Sequence, residues 1–124
     1  MGDSLTRKII RSHMVKGSMT AGEDVFVKVD QTLTHDINAV MTYLGFEQLG
    51  IPTQVKTSVS HLDHNLLYID FKTPDDHNYL RTIAEKTGVY VSRPGNGICH
   101  MVQTSRFATP GELLMGGDLS LIHI

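Results

Sequence analysis

Three helix-like stretches in this chain run into a glycine, at Gly17, Gly50 and Gly88, and β-rich stretches lie between them. Glycine just past a helix end closes the helix at little steric cost. Ser4 is placed to cap a helix from Leu5 to about Val15, with Leu5, Ile9, Ile10 and Met14 on one face. Val25 to Asp30 reads as a strand. Asp36 then starts a helix through Leu49, with Val40, Met41, Leu44 and Leu49 expected to be buried. Val55 to His61 alternates β-branched and polar residues, the pattern of a strand. Asp75-Asp76 suits the positive end of a third helix, whose apolar stripe is Leu80, Ile83 and Ala84. Val89 to Val91 and Leu113 to Met115 read as short strands. Strands alternating with helices restrict the fold to an α/β class: a layered α/β/α domain with a mostly parallel sheet. At 124 residues the chain has the length of one such domain.

In a parallel sheet, ligands bind beyond the carboxyl ends of the strands. Asp30, Asp63-His64, Pro94 to His100 and Gly116-Gly117-Asp118 each follow a strand-like segment. They are therefore expected to share one site. Carboxylates and imidazoles gathered in this way suit proton transfer or metal-assisted chemistry.

Composition removes several classes. The 11 basic and 13 acidic residues are mixed along the chain, with a formal net charge of −2. That pattern offers no basic patch for nucleic acid. The apolar runs are too short to span a membrane. Met1-Gly2-Asp3-Ser4 lacks a signal-peptide pattern, so a cytoplasmic location is expected. The single cysteine, Cys99, excludes an intrachain disulfide, a zinc finger and a self-contained iron–sulfur cluster.

Each motif alone has a plainer reading. His61-Leu62-Asp63-His64 resembles part of the His-x-His-x-Asp-His loop of metallo-β-lactamase-type hydrolases, but Val59 stands at the first histidine position. A zinc hydrolase using His61, Asp63 and His64 is one alternative. A turn capped by Asp63 is the simpler one. Pro94-Gly95-Asn96-Gly97 suits either a tight turn or a non-catalytic anion-binding module. His35-Asp36 reads in isolation as a polar pair at a helix start. His13 and His77 are expected on exposed helix faces without a role, and Cys99 as a small buried residue.

Taken in order, Asp30 to Asp36, Leu62 to Asn65, Asp75 to His77, Ser92 to His100 and Pro110-Gly111 resemble the N-terminal part of the aconitase family of iron–sulfur hydro-lyases. The resemblance covers roughly Leu5 to Asp118 and is closest to bacterial-type aconitate hydratases. Homoaconitases and isopropylmalate dehydratases are near relatives. It implies the N-terminal aconitase-type fold and reversible dehydration of a tri- or dicarboxylate, citrate and isocitrate interconverting through cis-aconitate. It also implies a [4Fe–4S] cluster in the full-length protein, with ligands outside this chain and no metal ligand within it. By the same resemblance His64 is a proton donor with Asp63 beside it. His100 engages the substrate and its hydroxyl, Asp118 orients such groups, and His35 and Asn65 contact the substrate. The partners implied are the small carboxylate and the missing C-terminal domains.

Three departures bear on this. Met101 stands where the family has Gln, Ile37-Asn38 replaces small or hydroxyl residues, and His35 is the residue of the isopropylmalate branch. Substrate choice therefore stays open between aconitate, homoaconitate and 3-isopropylmalate chemistry. The family's Ser-His after the last Asp is replaced by Leu119 to Ile124, six residues that match the translation of a common transposon-based sequencing adapter. Residues 1–118 are thus expected to be a partial N-terminal domain and residues 119–124 a non-native tail. The piece by itself is expected to be inactive.

Overall fold

The computed structural model describes residues 2–118, so the expected foreign tail at 119–124 lies outside the described residues. In chain order the elements are α1 (Leu5–His13), β1 (Met14–Gly17), β2 (Val25–Val27), β3 (Gln31–His35), α2 (Asp36–Leu49), β4 (Thr57–His61), α3 (Lys72–Thr87), β5 (Tyr90–Ser92), α4 (Cys99–Arg106) and β6 (Leu114–Gly116). Four strands form one sheet in the order β5-β4-β3-β6, and all three of its pairings are parallel. The remaining two, β1 and β2, make a separate antiparallel hairpin. The layered α/β architecture read from the alternation of elements is therefore the one observed.

The strand at the sheet's centre is not the apolar one. Val25 to Asp30 divides: Val25–Val27 pairs with β1, and the sheet begins one residue after Asp30, at Gln31. In β3 the side chains alternate between two packed layers, with Leu33 opposite Val59 and His35 opposite His61 on one face. On that face α4 lies against the sheet, where Gln103 bonds both Gln31 and His61. The other face carries Thr32, bonded through its hydroxyl to Ser58 at 2.7 Å, and Thr34, whose hydroxyl is 3.5 Å from that of Tyr43 on α2. Both faces of β3 carry hydroxyl or amide groups, so the apolar run that usually marks a central parallel strand is absent.

The main apolar core lies between the sheet and the helices α2 and α3. It comprises Ala39, Tyr43, Leu62, Leu80, Ile83, Ala84 and Val89. Each large side chain buried there contributes about 1.5–3 kcal/mol by removal from water. The stripe expected on α3 is the one that packs. On α2 the expectation holds only for Val40, which is partly buried against the core: Ala39 and Tyr43 point inward, whereas Met41 is 75 % and Leu49 67 % exposed, with Leu44 exposed as well. Apolar residues surround α2 on every side, so their spacing does not single out a face.

Gly50 and Gly88 close α2 and α3 in the left-handed conformation, at φ 62° and 74°. Gly17 has another cause. Helix α1 already ends at His13, and a Cβ at Gly17 would sit 2.3 Å from the Asp24 carbonyl oxygen across the hairpin. Close backbone approach, not helix termination, requires glycine there.

Candidate functional site

The parallel strands deliver their last residues to one edge of the sheet. His35 ends β3, Leu62 to Asn65 follow β4, Pro94 to Gly97 and the start of α4 follow β5, and Gly117-Asp118 follow β6. Asp30 is the exception to the expected grouping. It precedes β3 and sits at the opposite edge, where His13 Nε2 approaches its carboxylate to 2.7 Å and Lys56 to 3.4 Å. The N–H of Leu113, foremost, together with Lys56 and His13 holds the Asp30 carboxyl below its usual range. Asp30 and His13 thus brace the sheet away from the site, and His13 is partly buried instead of exposed.

At the site edge, His64 lies between two carboxylates. Its Nδ1 is 3.0 Å from Asp63 Oδ1 and 3.5 Å from Asp36 Oδ1. The second oxygen of Asp63 accepts the N–H of Cys99 at 2.5 Å, so this residue also ties the first turn of α4 to the β4 end. One carboxylate thus caps the start of α4 and meets the His64 ring. The rings of His64 and His35 stack, with centroids 4.2 Å apart. His100, in the first turn of α4, pairs through Nε2 with Asp118 Oδ2 at 2.9 Å. Asn65 is exposed, and its N–H is held by Asp36 at 2.7 Å.

Asp118 joins these groups. One potential ligand atom each from His35, His64 and Asp118 lies within 4.8 Å of the others, and the same holds for Cys99, His100 and Asp118, and for Asp36, Asp63 and His64. His61 is in none of these groups. It is fully buried, with Nε2 3.0 Å from Gln103 Oε1. The zinc arrangement of His61, Asp63 and His64 is therefore not formed, because strand alternation turns His61 into the α4 layer. The Pro94–Gly97 segment is a tight turn held by Asn96, whose N–H donates to Arg93 O at 3.2 Å and whose side-chain amide donates to Ser92 at 2.9 Å.

Burial shifts two of the buried histidines, His35 and His61. Desolvation first, then the neighbouring His64, lowers the pKa of His35. Desolvation likewise lowers that of His61. Both therefore favour the neutral ring. At Asp36 burial pushes the carboxyl up, but donation from the Asn65 N–H, His77 and the His64 N–H outweighs it, and the net pKa is lowered.

Three supporting residues carry no signal in the strand-end pattern. Asp36 accepts the N–H groups of His64 and Asn65 and faces His77 Nε2 at 3.3 Å. His77, expected on an exposed face, is only 1 % exposed and also meets Tyr68 Oη at 2.9 Å. Asn38 forms a capping box with His35, the one local cue legible in the His35-x-x-Asn38 spacing. Its side-chain amide also donates to Gly117 O, which fixes the segment bearing Asp118.

Cys99 does not fit a cluster ligand. It is fully buried, and burial foremost, with Asp63 beside it, pushes its thiol up to about 12. An iron–sulfur cluster needs several thiolates, and Cys99 is the single cysteine of the chain.

No protein-family model matches the chain. It is similar to the 3-isopropylmalate dehydratase large subunit of Elusimicrobium minutum, 29 % identical over 125 residues, covering 95 % of this chain and 28 % of that protein. The corresponding subunit of Thermodesulfovibrio yellowstonii is 31 % identical over 123 residues, covering 95 % and 29 %. The "Probable aconitate hydratase, mitochondrial" of Dictyostelium discoideum is 29 % identical over 128 residues, covering 93 % and 17 %. The chain thus spans less than a third of the length of these relatives. Both branches match at nearly the same identity.

Proposed function

We infer that this chain, similar along nearly its whole length to aconitase-family hydro-lyases, carries the proton-handling half of a hydro-lyase site. The observation that carries the reading is the convergence of two histidine–carboxylate pairs, His64 with Asp63 and His100 with Asp118, at the carboxyl edge of one parallel sheet. Dehydration breaks a C–O bond and the C–H bond on the adjacent carbon. Hydroxide leaves poorly, so it needs a proton as the bond breaks.

His64 is the donor in this reading. Asp63 accepts from Nδ1, which stabilises the imidazolium and leaves Nε2 to deliver the proton to the departing hydroxyl. His100, oriented by Asp118, engages the substrate's hydroxyl and carboxylate. His35 contacts the substrate from beneath His64, kept neutral by burial, and Asn65 borders it. The N-terminal turns of α2 and α4 both lie at this edge, where Asp36 begins α2 and Asp63 accepts the first N–H of α4. The substrate class is a small tri- or dicarboxylate: citrate and isocitrate, or alternatively homoaconitate or 3-isopropylmalate. A [4Fe–4S] cluster held elsewhere in a longer protein supplies Lewis-acid polarisation of the hydroxyl when bound. The chemistry of this chain stops at its histidines and carboxylates.

The base that takes the C–H proton and the cluster ligands are assigned to domains beyond Asp118, and Leu119 to Ile124 to a foreign tail. Two measurements test this. Purified 124-residue protein is expected to give no turnover of isocitrate to cis-aconitate, and measurable turnover refutes the assignment. The gene read past Asp118 is expected to continue with Ser-His, then a lone Cys and a Cys-x-x-Cys. A native frame retaining Leu119 to Ile124 contradicts it.

A further inference from the structure

Asp36 is the most heavily engaged carboxylate near the site, and the reading above gives it no task. It stands at the first position of α2, almost fully buried. A charge buried there needs compensation, because leaving water is costly for a carboxylate. It has four donors or cationic neighbours: the N–H of His64 at 3.2 Å, the N–H of Asn65 at 2.7 Å, His77 Nε2 at 3.3 Å and His64 Nδ1 at 3.5 Å. The positive end of α2 adds to these.

An ionised carboxylate only accepts, so His77 donates through Nε2–H. In the neutral ring Nδ1 is then an acceptor, and the Tyr68 hydroxyl, 2.9 Å away, donates to it. The order of donation is Tyr68 to His77, His77 to Asp36. Both nitrogens of the buried neutral His77 ring are satisfied in that arrangement.

We propose that Tyr68, with the buried His77 and Asp36, forms a positioning relay that fixes the His64 ring with Nδ1–H on the carboxylates, so that Nε2 bears the transferred proton in the imidazolium and is the bare nitrogen in the neutral ring. Asp36 acts twice on His64. It grips the backbone of His64 and Asn65, and its Oδ1 stands on the same ring nitrogen that Asp63 accepts from. His77 has no route to the substrate of its own and works through Asp36, so it is a positioning residue. Tyr68 lies in the segment that carries the exposed Leu67, Ile69 and Phe71, and its bond to His77 anchors that segment to the site. The functional meaning of the relay rests on His64 being the proton donor; its hydrogen-bond order does not.

The test is long-range 15N NMR of the histidine rings in the labelled 124-residue protein, at a pH where His64 is neutral. Expected are a single Nε2–H tautomer at His77 and a single Nδ1–H tautomer at His64. In His77→Phe the His64 signals become those of a tautomer mixture, and His77→Gln, which keeps an amide N–H, restores them in part. Tyr68→Phe, which removes only the hydroxyl, loses the single tautomer at His77 and serves as the deciding variant if His77→Phe does not fold. An unchanged His64 tautomer in folded His77→Phe overturns the relay, as does an unchanged His77 tautomer in Tyr68→Phe. Citrate and 3-isopropylmalate, each added to the unsubstituted protein, separate the two readings. If the tautomers respond as expected but neither ligand perturbs His64, the relay stands and the hydro-lyase reading falls. If either ligand perturbs His64 and the tautomers do not respond, the relay alone falls.

Discussion

His35 and His61 sit opposite each other on β3 and β4, both buried and both with lowered pKa. The unfolded chain takes up a proton on each near the ordinary imidazole value of about 6.5, the folded chain only at lower pH. The unfolded state therefore binds more protons in that window, and stability is lost as pH falls through about 6.5 toward the folded values. Urea unfolding should give a lower midpoint at about pH 5.5 than at about pH 7.5, with a smaller difference in His61→Gln. Equal pH dependence in the variant would remove His61 from the account. At this scale the sequence was partly legible. His64, His100 and Asp118 stand at strand ends in glycine-rich or polar runs and could be picked out. Asp36 and His77 could not, because each looks like an ordinary polar residue in the first turns of a helix. Their burial arises only when α3 packs on α2.

Helix α3 shows why some elements were readable and others not. Its stripe of Leu80, Ile83 and Ala84 is set among charged and polar residues, so one face is unambiguous, and that face is the core. Helix α2 is apolar around its circumference, and of the residues expected to be buried only Val40 packs against the core, while Met41, Leu44 and Leu49 are exposed. Two substitutions read out the difference by denaturant unfolding. Leu80→Ala should cost about 2–5 kcal/mol as a cavity forms, whereas Met41→Ala on the exposed face should stay within about 0.5 kcal/mol. A Met41 effect as large as that of Leu80 would mean that α2 is rotated from its described position. Helix α4 went unread for a different reason. It is eight residues long and starts two residues after Gly97, so its glycine-rich entry looked like a loop through His100. Strand β3 was hidden by its own composition, since a central strand with Gln31, Thr32, Thr34 and His35 is stabilised by hydrogen bonds across and beneath the sheet as well as by apolar contacts.

For the whole molecule, the parallel sheet brings together at one edge residues separated by more than eighty positions in the chain. The strand alternation in sequence was enough to expect that edge, and Asp30 was misplaced because the apolar run before it belongs to a hairpin instead of the sheet. The central claim is that His64 and His100 jointly receive a small di- or tricarboxylate. Citrate and 3-isopropylmalate titrated into the 15N-labelled 124-residue protein test it directly. The account predicts saturable shifts of the His64 and His100 ring signals with at least one of the two ligands, lost in the His64→Ala, His100→Ala double variant while the fold is retained. Binding that persists in the double variant, or shifts confined to the Pro94–Gly97 turn, would contradict it.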